Sequence, residues 1–250
     1  MSIVSIGILL LIALFVVMLG IMEFGRRLCM WQMAKDPEEV KAGTGAVEAA
    51  IFALMGLLIA FTFSGAASRF DTRRVQVVEE AVTIETVWQR IDLLPKEKQQ
   101  VLRDDMRAYL DMRVAAFAGA RIETIKNVRL SSEVRAKMWK DIVNTCKDDV
   151  HMVEAVNNMF NMATVRTMTA SMHPPILIFV MLAVLLLAGS LLAGYHMGEG
   201  KHRNWFHIIT FTSAIILTFY VILDFEFPHL GLIRIEEFYK VFTDLQQQMK

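Results

Sequence analysis

Four blocks of about twenty consecutive apolar residues limit this chain more than any other feature of its sequence. An α-helix rises about 1.5 Å per residue, so roughly 20 apolar residues cross the hydrocarbon core of a bilayer, which is about 30 Å thick. The blocks predict membrane-spanning helices over residues 3–22, 45–67, 175–195 and 205–223, here called spans 1 to 4. Four such blocks exceed what the core of one small soluble domain would bury.

The rest of the composition indicates a water-facing part as well. Hydrophobic residues make up 55% of the chain, yet residues 68–173 are as charged as a soluble helical protein. We therefore predict an all-α integral membrane protein with four transmembrane helices and a long helical cytoplasmic domain between spans 2 and 3. The predicted parts are a first membrane pair in 1–67, the domain in 68–173, a second pair in 174–227 and a cytoplasmic C-terminal tail in 228–250.

Charge and reactive residues argue against several function classes. Lys and Arg total 26, equal to the 26 Asp and Glu. The chain therefore lacks the surplus of basic residues that is typical of a nucleic-acid-binding protein. Cys29 and Cys146 are too few for a disulfide framework or a four-cysteine metal site. The spacing of His196, His202 and His207 matches no metal-ligand motif, and no nucleophile and base stand in a catalytic pattern. We predict no enzymatic activity, no metal and no cofactor.

The orientation in the membrane is less constrained. Four spans place both termini on one side, and Lys and Arg beside the spans are nearly equal on the two sides. We interpret both cysteines as reduced thiols. Because Cys146 belongs to the large domain, this favours a reducing compartment for that domain. We predict a multi-pass protein of the cell inner membrane, surrounded by the lipid bilayer, with its termini and its large domain in the cytoplasm.

Helical periodicity organises the domain between spans 2 and 3. Apolar residues advance by four, three, four and three positions at Val77, Ala81, Ile84, Trp88 and Ile91. This seam is typical of a helix that packs against another helix, and Ile84, Trp88 and Ile91 are predicted to contact a partner or another subunit. A second helix is predicted from Pro95 to about residue 128, and a third from an N-cap at Ser131 to the prolines after His173.

Small side chains recur along span 2 at every third or fourth position. They are Ala49, Ala53, Gly56, Ala60 and Ser64. One interpretation is that this face lets another helix approach closely. The other is that it lines a pore, where small and hydroxyl side chains leave room for water and ions. The sequence leaves both interpretations open.

Acidic residues stand at the edges of two spans. Glu48 lies inside span 2 near its start, and Asp224 and Glu226 bound span 4 before Pro228. An ionised carboxylate in a bilayer is costly unless it faces a cavity, a partner or the interface, so each acid is either interfacial or functional. If these acids faced a conduit, they would favour the passage of cations or protons.

Short segments along nearly the whole chain follow one another in a recognisable order. They are residues 45–49, 60–64, 69–74, 80–81, 90–95, 223–228 and 231–234. Together they resemble an uncharacterised bacterial membrane-protein family usually labelled bestrophin-like. Val82 and Glu85 depart from the pattern of that family, which more often has Asn and Gly there.

The resemblance implies a function. Bestrophins are pentameric anion channels with four membrane helices, cytoplasmic termini and a pore lined by the second helix. This chain is accordingly expected to be a homo-oligomeric ion channel with span 2 at its axis and an inorganic ion as the permeant species. A hydrophobic neck would need large apolar residues on one face, yet Phe52 is followed by Gly56 and Ala60. The alternative is a non-conducting membrane scaffold that recruits partners through its cytoplasmic helices.

Overall fold

The structure, a computed structural model, describes residues 3–35, 45–118, 124–198, 203–228 and 236–250. Regular structure in these ranges is entirely helical, with no strand. The helices are α1 (Ile3–Lys35), α2 (Gly45–Ile91), α3 (Lys96–Ala118), α4 (Thr124–Cys146), α5 (Val150–Ser171), α6 (Ile176–Met197), α7 (Trp205–Glu226) and α8 (Lys240–Gln248), with a 3-10 turn at Glu236–Tyr239 before α8. The predicted all-α class is confirmed.

Four helical segments are long and apolar enough to cross a membrane, and they contain α1, α2, α6 and α7. The 33 residues of α1 extend over about 50 Å and the 47 residues of α2 over about 70 Å. Both helices are therefore longer than the roughly 30 Å of hydrocarbon that they would cross. The prediction of four helices suited to a bilayer is confirmed.

The chain forms two compact units. The first consists of Met1–Phe70 and His173–Ile233, and the second consists of Asp71–Met172 and Arg234–Lys250. Residues of α2 belong to both units. Residues 234–250, which the sequence presented as a tail, belong to the second unit, where Phe242 and Leu245 of α8 are buried.

The first unit has a narrow core and an apolar outside. Its buried cluster contains Met18, Met55, Leu182, Leu186 and Ile215. Large apolar side chains elsewhere in the unit point outward from every one of its helices, among them Leu10, Phe61, Ile176 and Leu217. A surface of this kind is typical of helices that contact lipid.

The second unit has an ordinary side-chain core. Fully buried residues from α2, α3, α4 and α5 meet there, including Ile84, Leu102, Met106, Ile142 and Met159. Methionine fills irregular gaps between helices because it is unbranched and flexible, which explains the many methionines in this unit.

The helix boundaries in the second unit correct two predictions. The helix predicted from Ser131 to the prolines is two helices, because α4 ends at Cys146 and α5 begins at Val150. The Asp149 side chain accepts a hydrogen bond from the Met152 amide at 3.1 Å, and this N-cap starts a new helix. Ser131 lies inside α4 and caps nothing. The helix predicted to reach residue 128 ends as α3 at Ala118, and residues 119–123 lie outside the described ranges.

Candidate functional site

The small-residue face of span 2 is exposed along its whole length. Every one of the five predicted positions is solvent-accessible in the folded chain: Ala49, Ala53, Gly56, Ala60 and Ser64. A Cβ atom added to Gly56 would meet no atom within 4 Å. Glu48, at the start of the same span, is half-buried. Within the described chain, no other helix uses this face for close packing.

The opposite side of span 2 holds it to the first unit. Met55 is buried, and a Cβ added to Gly189 of α6 would lie 3.1 Å from the Met55 sulfur. The Phe52 ring packs edge-on against Phe211 of α7 with 6.2 Å between the ring centroids. The Phe52 ring thus turns towards its own chain.

Close helix approach occurs elsewhere, between α1 and α6. A Cβ added to Gly194 would overlap the Met22 carbonyl oxygen, and one added to Gly25 would overlap the Leu191 carbonyl oxygen. Gly198 is a third glycine that packs against α1 in this way. Each of these glycines is a small residue in or beside an apolar block, but such a residue does not reveal from the sequence which helix lies opposite it.

The two acids at the end of span 4 are both buried. Glu226 is fully buried, and Arg69 Nε donates to its Oε2 at 2.8 Å. His173 Nδ1 lies 2.9 Å from the other oxygen, Oε1, and the imidazole stacks on Phe227. Asp224, about half a turn before Glu226, is 4% exposed. The carboxylate that the sequence placed at a boundary is therefore bound by a cation and a histidine, neither of which the sequence analysis had paired with it.

A second buried carboxylate, Glu80, lies in the second unit. Arg113 binds it with two nitrogens, Nη2 at 2.8 Å from Oε2 and Nε at 2.5 Å from Oε1, and Arg166 Nη1 binds the same Oε2. Each arginine side chain is only 12% exposed. Among the described residues, two cations and one anion share this buried site. Burial also raises the pKa of the adjacent Tyr109 to about 12.

The C-terminal segment covers this site. Arg166 lies over the Tyr239 ring at 5.6 Å and over the Phe242 ring at 5.8 Å, and Arg107 Nε donates to the Met249 carbonyl at 2.7 Å. Arginine stacks on aromatic faces readily because its guanidinium is planar and weakly hydrated. The site is thus closed by the chain itself.

The predicted seam of α2 packs inside the second unit. Val77, Ala81, Ile84 and Ile91 are buried, so these residues form the helix-packing face that their spacing predicted. Trp88 is half-buried beneath Arg103 and Arg107, whose guanidiniums lie 4.6 and 5.5 Å from its ring. In this fold Ile84 and Ile91 present no surface to a partner.

Among the described residues, no three His, Cys, Asp or Glu side chains come together in a way that would hold a metal ion. His202 lies outside those ranges. Comparison with known proteins finds no matching family model, no matching curated protein and no matching solved structure.

Proposed function

We propose that this chain is a bestrophin-like, homo-oligomeric ion channel of the cell inner membrane, in which span 2 faces other copies of the chain and lines the ion pathway. The observation that carries the proposal is the uncovered small-residue face of span 2. The proposed orientation places both termini and the second unit in the cytoplasm, where the free thiol of Cys146 stays reduced.

The two groups of small residues in the first unit support an oligomer. Gly25 and Gly194 are buried where α1 and α6 approach closely, whereas Gly56 faces open space. Small residues in membrane helices let backbones approach each other, and this contact needs a partner helix. Since the described chain supplies none for Gly56, a second copy is the partner that we propose.

The chemistry of the same face supports an ion pathway. Its side chains are short and it ends at the Ser64 hydroxyl, and Glu48 lies near the start of the same helix, one residue before Ala49. Short side chains leave room for water, and a ring of carboxylates contributed by several copies attracts cations or protons. Phe52 turns into its own unit, so it does not narrow the proposed pathway.

The oligomer is tested by a matched pair of glycine substitutions in the full-length protein in detergent. Gly56 and Gly20 are both exposed, and neither has any atom within 4 Å of an added Cβ. We expect Gly56→Leu to weaken the assembly and Gly20→Leu to preserve it, measured by light scattering after size exclusion. A monomeric wild-type protein, or an assembly unaffected by Gly56→Leu, contradicts the proposed interface.

Conduction is tested in vesicles that contain the intact oligomer. We expect ion flux with a preference for cations or protons, reduced in Glu48→Gln and unchanged in Glu79→Gln, an exposed acid of the second unit. An intact oligomer that carries no ion across a range of salts and pH values contradicts the channel.

A further inference from the structure

A cleft in the first unit combines an apolar floor with a charged rim. It has a volume of about 210 Å³ and opens between α1, α6 and the start of α7. Its apolar lining includes Leu19, Met22, Met197 and Ile208. Four charged residues complete it: Glu23, Arg26, Arg27 and Arg203.

The rim carries an excess of positive charge. Arg26, Arg27 and Arg203 all bind the single carboxylate of Glu23, with Nε of Arg26 at 3.0 Å, Nε of Arg27 at 2.9 Å and Nη2 of Arg203 at 2.9 Å. Among the described residues that line the cleft, three cations stand against one anion. Each guanidinium has about five N–H donors, whereas a carboxylate offers about four lone-pair positions, so Glu23 cannot use all of these donors.

Glu23 also directs the three arginines to one place. Two of them follow it on α1, while Arg203 precedes α7 and reaches it from elsewhere in the chain. Arg27 and Arg203 have 71% and 43% of their side chains exposed, so their remaining donors face the outside. Converging, exposed guanidiniums suit the oxygens of a phosphate, which arginine binds with two parallel hydrogen bonds.

The position of the cleft selects the source of that phosphate. Span 1 ends just before Glu23, and the exposed Trp205 and Phe206 at the start of α7 are residues of the kind that lie at the headgroup level of a membrane. Arginines at this level can reach the phosphate of an anionic lipid headgroup. An apolar floor beside the arginines gives an acyl chain a surface to contact.

We propose that this cleft binds an anionic phospholipid, with its phosphate on Arg27 and Arg203 and the upper part of an acyl chain against Met22, Met197 and Ile208. The lipid site is independent of whether the protein conducts ions.

Native mass spectrometry of the full-length protein tests this site with phosphatidylglycerol and phosphatidylcholine of identical acyl chains. We expect tighter binding of phosphatidylglycerol. Arg27→Gln and Arg203→Gln should each lower its affinity about tenfold, because each removes a charge-assisted hydrogen bond. Arg74→Gln is the matched control, since its side chain, at 42% exposed, is as accessible as that of Arg203 and lies in the second unit.

Three results would contradict the lipid site. Equal binding of the two lipids, or an affinity for phosphatidylglycerol that neither variant changes, overturns the proposal. Displacement of the lipid by inorganic phosphate at the same concentration also overturns it, because the site would then bind a soluble anion. Arg27 is exposed enough for Arg27→Gln to fold, so this variant decides the matter if Arg203→Gln does not fold.

Discussion

Glu80 and Glu23 are carboxylates bound by arginines, but they have opposite surroundings. The Glu80 side chain is 0% exposed and its two arginines are packed beneath the C-terminal segment, whereas that of Glu23 is 31% exposed at the rim of an open cleft. Burial makes the first group a structural element, because a buried charge that loses its partner is costly. Exposure leaves the second group able to exchange its hydrogen bonds with water or with a ligand.

The two units also differ in what stabilises them. In the first unit, glycines allow the backbones of α1 and α6 to touch, and most other apolar side chains face outward. In the second unit, a side-chain core surrounds the buried ion cluster. The loss of an ionic contact should therefore cost more stability in the second unit than in the first. Forcing two helix backbones apart should cost more stability in the first unit than in the second.

The largest expected effect is that of Glu80→Gln. The substitution removes the carboxylate charge that the buried Arg113 and Arg166 share, which should destabilise the fold by about 3–5 kcal/mol. Glu79→Gln, its exposed neighbour on α2, is the control and should stay within about 0.5 kcal/mol of the wild type. Chemical denaturation followed by circular dichroism measures both. Equal stabilities of the two variants would remove the contrast between Glu80 and Glu23.

The next effect depends on pH. Burial raises the pKa of Tyr109 from its ordinary 10.0 to about 12, so the fold favours the neutral phenol. This contribution is complete below about pH 10 and disappears as the pH rises to about 12, a loss of about 3 kcal/mol. We expect the ultraviolet difference titration of the wild type against Tyr109→Phe to show tyrosinate forming near pH 12. A transition near pH 10 would mean that the site beside Glu80 is open to water.

A smaller loss is expected from Gly194→Ala in the first unit. Its Cβ would overlap the Met22 carbonyl oxygen, so α1 and α6 must separate, at a cost of about 2 kcal/mol. Gly20→Ala has open space and should leave stability unchanged or slightly higher, since alanine favours helix formation. Thermal unfolding in detergent compares the two. A tolerated Gly194→Ala would contradict the close contact between these helices.

The smallest change in stability is expected from Glu23→Gln, because exposed ion pairs contribute about 0–1 kcal/mol. The same substitution should increase the affinity for phosphatidylglycerol, since it removes the competing anion from the three arginines. Native mass spectrometry measures this increase. A weaker affinity would indicate that Glu23 positions the arginines more than it competes with the lipid.

Much of the architecture follows from local patterns. The apolar blocks predicted the four candidate membrane helices because block length alone decides whether a helix can cross a bilayer. The spacing of Val77, Ala81, Ile84 and Ile91 predicted a buried helix face. This pattern is also local, because helical periodicity places these residues on one side of α2. The break at Asp149 was missed, although its N-cap signal is local.

The candidate sites were less predictable. The small residues of span 2 were recognised, but nothing in them showed that Gly25 and Gly194 would make the close contact instead. Glu226 was selected without Arg69 or His173, and neither Glu80 nor Glu23 was selected as the centre of an arginine cluster.

The helical class, the helices suited to a membrane and the buried face of α2 can be read from the amino-acid sequence, because they depend on residues within a few turns of one another. The packing of distant helices sets which carboxylates meet which arginines and which of these groups stay open. Glu80 meets Arg166, and Glu23 meets Arg203, across long stretches of chain. Such pairs form when helices from distant parts of the chain pack together, and local periodicity carries no information about that packing.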